Sequence, residues 1–122
     1  MQRNRNLKYV GVNLTITANG KSTQEPKELV RGRCIGVTFF EFDAIPLQNI
    51  NLSIEDTQGN PILEAVDVRD FKKGTIGGLE AYKPVNFKTN GKVLINMFSP
   101  EIVAREFSGH FLFVIDTDGY DR

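Results

Sequence analysis

The sequence predicts an all-β protein, an antiparallel β-sandwich or jelly-roll-like barrel of about seven to eight strands. Three observations predict it. Apolar and polar residues alternate with a period of two along several stretches, the pattern of strands buried on one face. Turn-forming residues interrupt those stretches every 8–12 residues or so, the rhythm of sandwiches and barrels. Aromatic usage is one-sided, with nine Phe, three Tyr and no Trp. Phe combines strand preference with a large apolar surface, which predicts a phenylalanine-rich core.

The first strand lies in Val10 to Thr17, where Val10, Val12, Leu14 and Ile16 share one face. Ala18-Asn19-Gly20-Lys21 ends it with turn chemistry, and the polar residues 19–28, which include Pro26, read as a loop. Arg33 to Phe42 is apolar on both faces near its middle, as a central strand should be, and Ile45-Pro46 closes it. Ile50, Leu52 and Ile54 alternate with Asn51, Ser53 and Glu55 in the next strand. Asp56-Thr57-Gln58-Gly59-Asn60-Pro61 is a loop whose Gly and Asn supply positive φ at low cost. Ile62 to Phe71 returns as the hairpin partner.

Lys72 to Gly78 reads as a flexible connection. Val85 to Lys88 and Lys92 to Phe98 flank Thr89-Asn90-Gly91, and Asn-Gly favours a type I′ hairpin turn. Ser99-Pro100-Glu101 has helix-opening chemistry, which predicts at most one short helix near residues 100–105. Phe111 to Ile115 is the last apolar strand. Residues 1–122 form a single β domain, with residues 1–8 a flexible basic arm and residues 117–122 an exposed tail.

A chain of 122 residues has the length of one domain and buries roughly two-thirds of its extended surface, enough for one core. The 40% hydrophobic and 25% charged content argues against disorder. No apolar run reaches the roughly 18–20 residues that span a bilayer, and the basic N-terminus lacks the apolar segment of a signal peptide. The single Cys34 has no internal disulfide partner, in keeping with a reducing compartment. Net charge is zero but unevenly spread. Arg3, Arg5, Lys8, Lys21, Lys27, Arg31 and Arg33 face only Glu25 and Glu28 within residues 1–33, whereas residues 34–68 carry six acidic residues and no basic one. Such segments can meet within one fold or between neighbouring copies.

No constellation of catalytic residues emerges. His110 is the only histidine, with no neighbouring nucleophile for a Ser-His-Asp or Cys-His arrangement and too few companions for zinc. Cys34 follows Arg31 and Arg33, whose charge could activate a thiol, but its place at the start of a strand reads as core. Glu55 and Asp56, adjacent in sequence, point to opposite faces if both are in strand, and Asp67 with Asp70 reads as a solvated loop end. Asp116-Thr117-Asp118-Gly119-Tyr120-Asp121 lacks the ligand spacing and closing Glu of a calcium loop. Gly74, Gly77 and Gly78 match no phosphate-binding motif. The expectation is therefore no enzyme, no catalytic residue, no cofactor and no metal. Zero net charge and the acidic middle segment also argue against nucleic acid as a partner.

From Glu28 to Asp116 the strand and turn rhythm resembles small jelly-roll or β-sandwich structural proteins of bacteriophage virions. The resemblance is carried by Leu29-Val30-Arg31-Gly32-Arg33-Cys34-Ile35-Gly36-Val37-Thr38-Phe39, by Asp56-Thr57-Gln58-Gly59-Asn60-Pro61 and by Phe111-Leu112-Phe113-Val114-Ile115. It implies a minor capsid, vertex or decoration subunit, made in the host cytoplasm and residing in the virion. Such a subunit acts through homo-oligomerisation and contacts with other coat proteins, with Arg3, Arg5 and Lys8 as a partner-contact arm. The alternative is a cytoplasmic carbohydrate- or peptide-binding sandwich module, for which Tyr9, Tyr82 and Tyr120 are the non-Phe aromatics available to stack on a sugar.

Overall fold

A computed structural model of the chain describes residues 6–71 and 82–120. They form one antiparallel sheet of six strands: β1 (Leu7–Ile16), β2 (Ser22–Glu41), β3 (Asn51–Asp56), β4 (Pro61–Asp67), β5 (Lys83–Phe98) and β6 (Phe107–Asp116). Their order is β1-β6-β2-β5-β3-β4 and the sheet does not close into a barrel. The fold is all-β and sandwich-like. The first part of β2 pairs with β5 alone, whereas its last residues pair with β6 alone. The sheet curls so far that β1 touches β5 across the two strands between them. One core results. It is lined by Val12, Leu14 and Ile16 of β1, Leu52 and Ile54 of β3, Ile95 and Met97 of β5, and Phe107, Phe111, Phe113 and Ile115 of β6.

The alternation expected of β1 and β3, and the apolar run expected over Phe111 to Ile115, are what place these residues inside. Five Phe are fully buried: Phe39, Phe71, Phe107, Phe111 and Phe113. Phe111 meets Phe71 and Phe113 edge-on, with ring centroids 5.4 and 5.0 Å apart, the arrangement the ring quadrupole favours.

Six strands stand where seven to eight were expected because the two strands predicted around Asn90-Gly91 are halves of one. β5 runs unbroken through both residues. Gly91 has the positive φ that the hairpin reading required, 115°, but it serves a bulge. From Leu29–Gly91 to Gly32–Thr89, β2 advances three residues while β5 advances two. The extra residue lies in β2, where Val30 and Arg31 stand opposite Asn90 next to Gly91, and Thr89 Oγ1 donates 2.6 Å to the Val30 carbonyl. A second irregularity follows at Ile35, where β2 gains a residue on β6. Bulges sharpen strand bend and twist, and these two lie where β2 passes from one partner to the other.

Three further expectations are corrected. Residues 22–28 belong to β2 rather than to a loop. Thr23, Glu25 and Lys27 are half-buried and alternate with exposed neighbours, so the strand pattern is written in polar residues. Pro26 lies where β2 has only β5 beside it, a position that tolerates a missing N–H. No helix forms near residues 100–105; the one helical piece among the described residues is a 3₁₀ turn, Val68–Phe71. Val103 instead donates to the Gly20 carbonyl at 2.9 Å and accepts from Asn19 N at 2.7 Å, and this long-range pair overrides the local helix signal. The strand predicted over residues 62–71 stops at Asp67, whose Oδ1 accepts the Arg69 N–H at 2.9 Å and turns the chain into that 3₁₀ piece.

The ends differ from expectation as well. Lys8 is no part of a free arm: it is in β1, paired with Ile115. Thr117 N donates to the Asn6 carbonyl at 2.9 Å. Tyr120 is half-buried beneath Arg31, whose guanidinium carbon lies 3.8 Å from the ring centroid. Residues 117–120 are thus tied down rather than a loose exposed tail. The connection over residues 72–78, together with Arg3 and Arg5, lies outside the described residues. No helix among those described is long and apolar enough to cross a membrane.

Candidate functional site

The residues with catalytic or ligand potential are held apart. Cys34 is fully buried and its thiol points at the Gly36 carbonyl, 3.3 Å away. Burial pushes its pKa up to about 12, so the thiolate that reactivity requires is suppressed. His110 Nδ1 lies 2.7 Å from Asn13 Oδ1 on the outer face of β6 and β1. Asp67 is paired with Arg69 at 2.9 Å and Asp70 with Lys83 at 2.8 Å. Asp56 closes the β3–β4 turn by accepting the N–H groups of Gln58 and Asn60, each at 2.9 Å. Those bonds from Asn60 and Gln58 hold its carboxyl below the usual range. Among the described residues no three His, Cys, Asp or Glu side chains are grouped as a metal would need.

The three tyrosines are also separated. Tyr9 is exposed on β1, the Tyr82 ring occupies the space a Cβ on Gly36 would need, and Tyr120 has Arg31 and Lys88 over its ring. Of the expected partner-contact residues, Lys8 is exposed at the start of the edge strand β1.

What the structure gathers instead is apolar surface. Large exposed hydrophobics are Tyr9, Phe40, Phe42, Leu47 and Ile102, and all but Tyr9 lie at the end of the sandwich where β2 finishes and β6 begins. There the segments over residues 42–50 and 99–107 flank a cleft of about 370 Å³, lined by Asp43, Ala44, Pro46, Gln48 and residues 103–107. Large apolar side chains exposed at one end of a molecule point to an interaction site there.

This end is held firmly. Asp43 Oδ2 accepts both the N–H and the hydroxyl of Ser108, each at 3.2 Å. Gln48 Nε2 donates 3.0 Å to the Ile102 carbonyl and 3.3 Å to Ser99 Oγ, joining the two segments. Arg69, fixed by Asp67, donates to the Pro46 carbonyl. Leu47 lies between these two tethers with its side chain wholly in solvent, at 103% relative exposure. A large apolar side chain carried on a pinned backbone loses little freedom when covered, which suits an anchor. Nothing in the sequence around Leu47 announces this, because its tethers reach residues far away in the chain.

A second, shallower feature lies on the outer face of β2, β5 and β3. Gln24 Nε2 donates 2.6 Å to Asn96 Oδ1, and Asn96 Nδ2 donates 3.3 Å to Glu55 Oε1. Ser22, Ser53 and Phe98 complete the hollow. No protein-family model matches the chain, and no curated protein matches its sequence.

Proposed function

We propose that this chain is a non-enzymatic structural subunit that works by association, and that the assembly is a virion coat in which it serves as a minor capsid, vertex or decoration subunit. The observation that carries the association is Leu47, fully solvent-exposed between Pro46 and Gln48, two tethered residues that line the end cleft. Arg105 and Glu106, both exposed, line the same cleft, the kind of polar margin that protein interfaces carry. The virion assignment rests on the resemblance in strand and turn rhythm.

The test is light scattering after size-exclusion chromatography, on the chain alone and co-expressed with the coat proteins of its genomic neighbourhood. Leu47→Asp is expected to lose association that the wild type shows. A wild type that stays monomeric at high concentration and joins none of those coat proteins overturns the reading.

The hollow formed by Gln24, Asn96, Glu55 and Phe98 favours a second reading, a carbohydrate-binding module. Amides and a carboxylate beside an aromatic ring suit sugar hydroxyls and ring faces. A glycan array that gives signal with the wild type and none with Asn96→Ala would replace the first reading with this one.

A further inference from the structure

Among the described residues, the two outer edges of the sheet are built differently. The β4 edge is short and interrupted: it starts at Pro61, its register with β3 shifts twice, and Glu64 stands exposed on it. Proline, charge and irregularity are the means by which edges refuse another strand. Along β1 all ten residues pair with β6 without a shift, there is no proline, and Lys8 is the one charged residue.

Two hydrogen bonds identify the backbone groups that β1 leaves open. Thr117 N donates to the Asn6 carbonyl, a pair in register with the β1–β6 ladder. Bonded and non-bonded pairs alternate along an antiparallel ladder, so Lys8, Val10, Val12, Leu14 and Ile16 direct their N–H and C=O groups to β6. On the other side of β6, Phe42 N donates to the Ser108 carbonyl. Even-numbered residues of β6 therefore face β2 and odd-numbered ones face β1, which gives the same assignment independently. Leu7, Tyr9, Gly11, Asn13 and Thr15 turn their backbone groups outward, and among the described residues β1 has β6 as its sole strand neighbour.

We infer that this edge pairs with β1 of a second copy, antiparallel, about a two-fold axis through Gly11. The inference deepens the association reading above and rests on it, naming a partner and a surface distinct from the apolar end. Of the registers that set outward groups face to face, the one centred on Gly11 engages all five residues. Leu7 comes opposite Thr15 of the second copy, Tyr9 opposite Asn13, and Gly11 opposite Gly11.

The side chains accept this register. Lys8 falls opposite Leu14, so like charges do not meet. Val10, half-buried at the margin of the core, comes opposite Val12 on the inner face. At the axis Gly11 carries no side chain, and none would fit, because a Cβ there would lie 2.1 Å from Nε2 of His110. A second copy is the occupant this edge accommodates, since all five outward residues pair about Gly11, the one charge meets an apolar residue, and no proline or bulge interrupts either strand. With the β4 edge obstructed, pairing closes at two subunits instead of running on as a filament.

Asn13→Pro tests this. It removes one outward N–H while sparing the bonds to β6, which lie at even-numbered positions; Asn13→Ala loses the His110 contact but keeps the N–H. Light scattering should give the wild type and Asn13→Ala twice the 13.7 kDa chain mass, and Asn13→Pro the single mass with an unchanged circular dichroism spectrum. In the wild type, the amides of Tyr9, Gly11, Asn13 and Thr15 should exchange hydrogen roughly tenfold or more slowly at high concentration than at low. Those of Val10, Val12 and Leu14 should be protected at both. If Asn13→Pro fails to fold, the wild-type exchange pattern alone decides. A dimer whose odd-numbered β1 amides stay fast, or one that survives Asn13→Pro, overturns the inference. If Leu47→Asp then dissolves that dimer, association belongs to the apolar end and the proposed function stands without edge pairing. A wild-type monomer that still joins a coat protein through Leu47 has the same meaning.

Discussion

Replacing Gly91 by alanine isolates the backbone contribution of the bulge that lets β2 and β5 bend together. The φ of Gly91 is 115°, and a Cβ added there meets nothing within 4 Å. The substitution therefore creates no clash and removes no contact, and what remains is the cost of holding an L-residue in a glycine region. That cost is on the order of 1–3 kcal/mol, offset by about 0.4–1 kcal/mol because alanine restricts the unfolded chain. A net loss of about 0.6–2 kcal/mol follows. With an unfolding entropy of about 2.1 cal/mol/K per residue over 122 residues, Tm should fall by roughly 2–8 °C. Calorimetry on Gly91→Ala measures it, and D-alanine introduced at the same position by semisynthesis is the control, since it accepts positive φ. If L-alanine is neutral, or D-alanine destabilises as much, backbone strain is not what glycine relieves there.

Two other predictions concern titrating groups. Cys34, with its thiol pushed up to about 12 by burial, should resist a thiol reagent at pH 8 in the native protein and react fully in denaturant; rapid native labelling would contradict its burial. Asp56 has a carboxyl held low by hydrogen bonds from Asn60 and Gln58, so its depressed folded pKa contributes stability that is present above the unfolded carboxylate value of about 3.9 and lost as pH falls through the folded value. The Tm advantage of wild type over Asp56→Asn should accordingly be constant near neutrality and shrink at acid pH, and a difference that persists unchanged below about pH 2 would assign the effect to something other than ionisation.

The parts of the fold legible in the sequence are those where one face is apolar and the other polar. Val10 to Ile16 and Ile50 to Ile54 place their side chains as the alternation requires, and the wholly apolar Phe111 to Ile115 is buried on both faces near its end. Residues 22–28 escape that logic because their inner row, Thr23, Glu25 and Lys27, is polar and only half-covered. Their strand state comes instead from pairing with β5, a partner some seventy residues away that includes the oppositely charged pair Glu28 and Lys92. Asn90-Gly91 misleads for a related reason. Positive φ is a local property that Asn-Gly signals well, yet whether the chain reverses there or continues past a bulge depends on whether Leu29 and Val30 already lie alongside.

The same division governs the candidate site. Chemistry that resides in one side chain, such as the isolation of His110, can be read from the chain directly. The backbone on either side of Leu47 is pinned only because Gln48 reaches Ser99 and Ile102 while Arg69 reaches Pro46, and β1 is an edge among the described residues only because β6 inserts between it and β2. Both surfaces are consequences of strand order. Period-two patterning specifies which face of a strand is buried but says nothing of which strands end up neighbours, so a sequence can fix an interior residue by residue while leaving the surfaces through which subunits meet to be decided by topology.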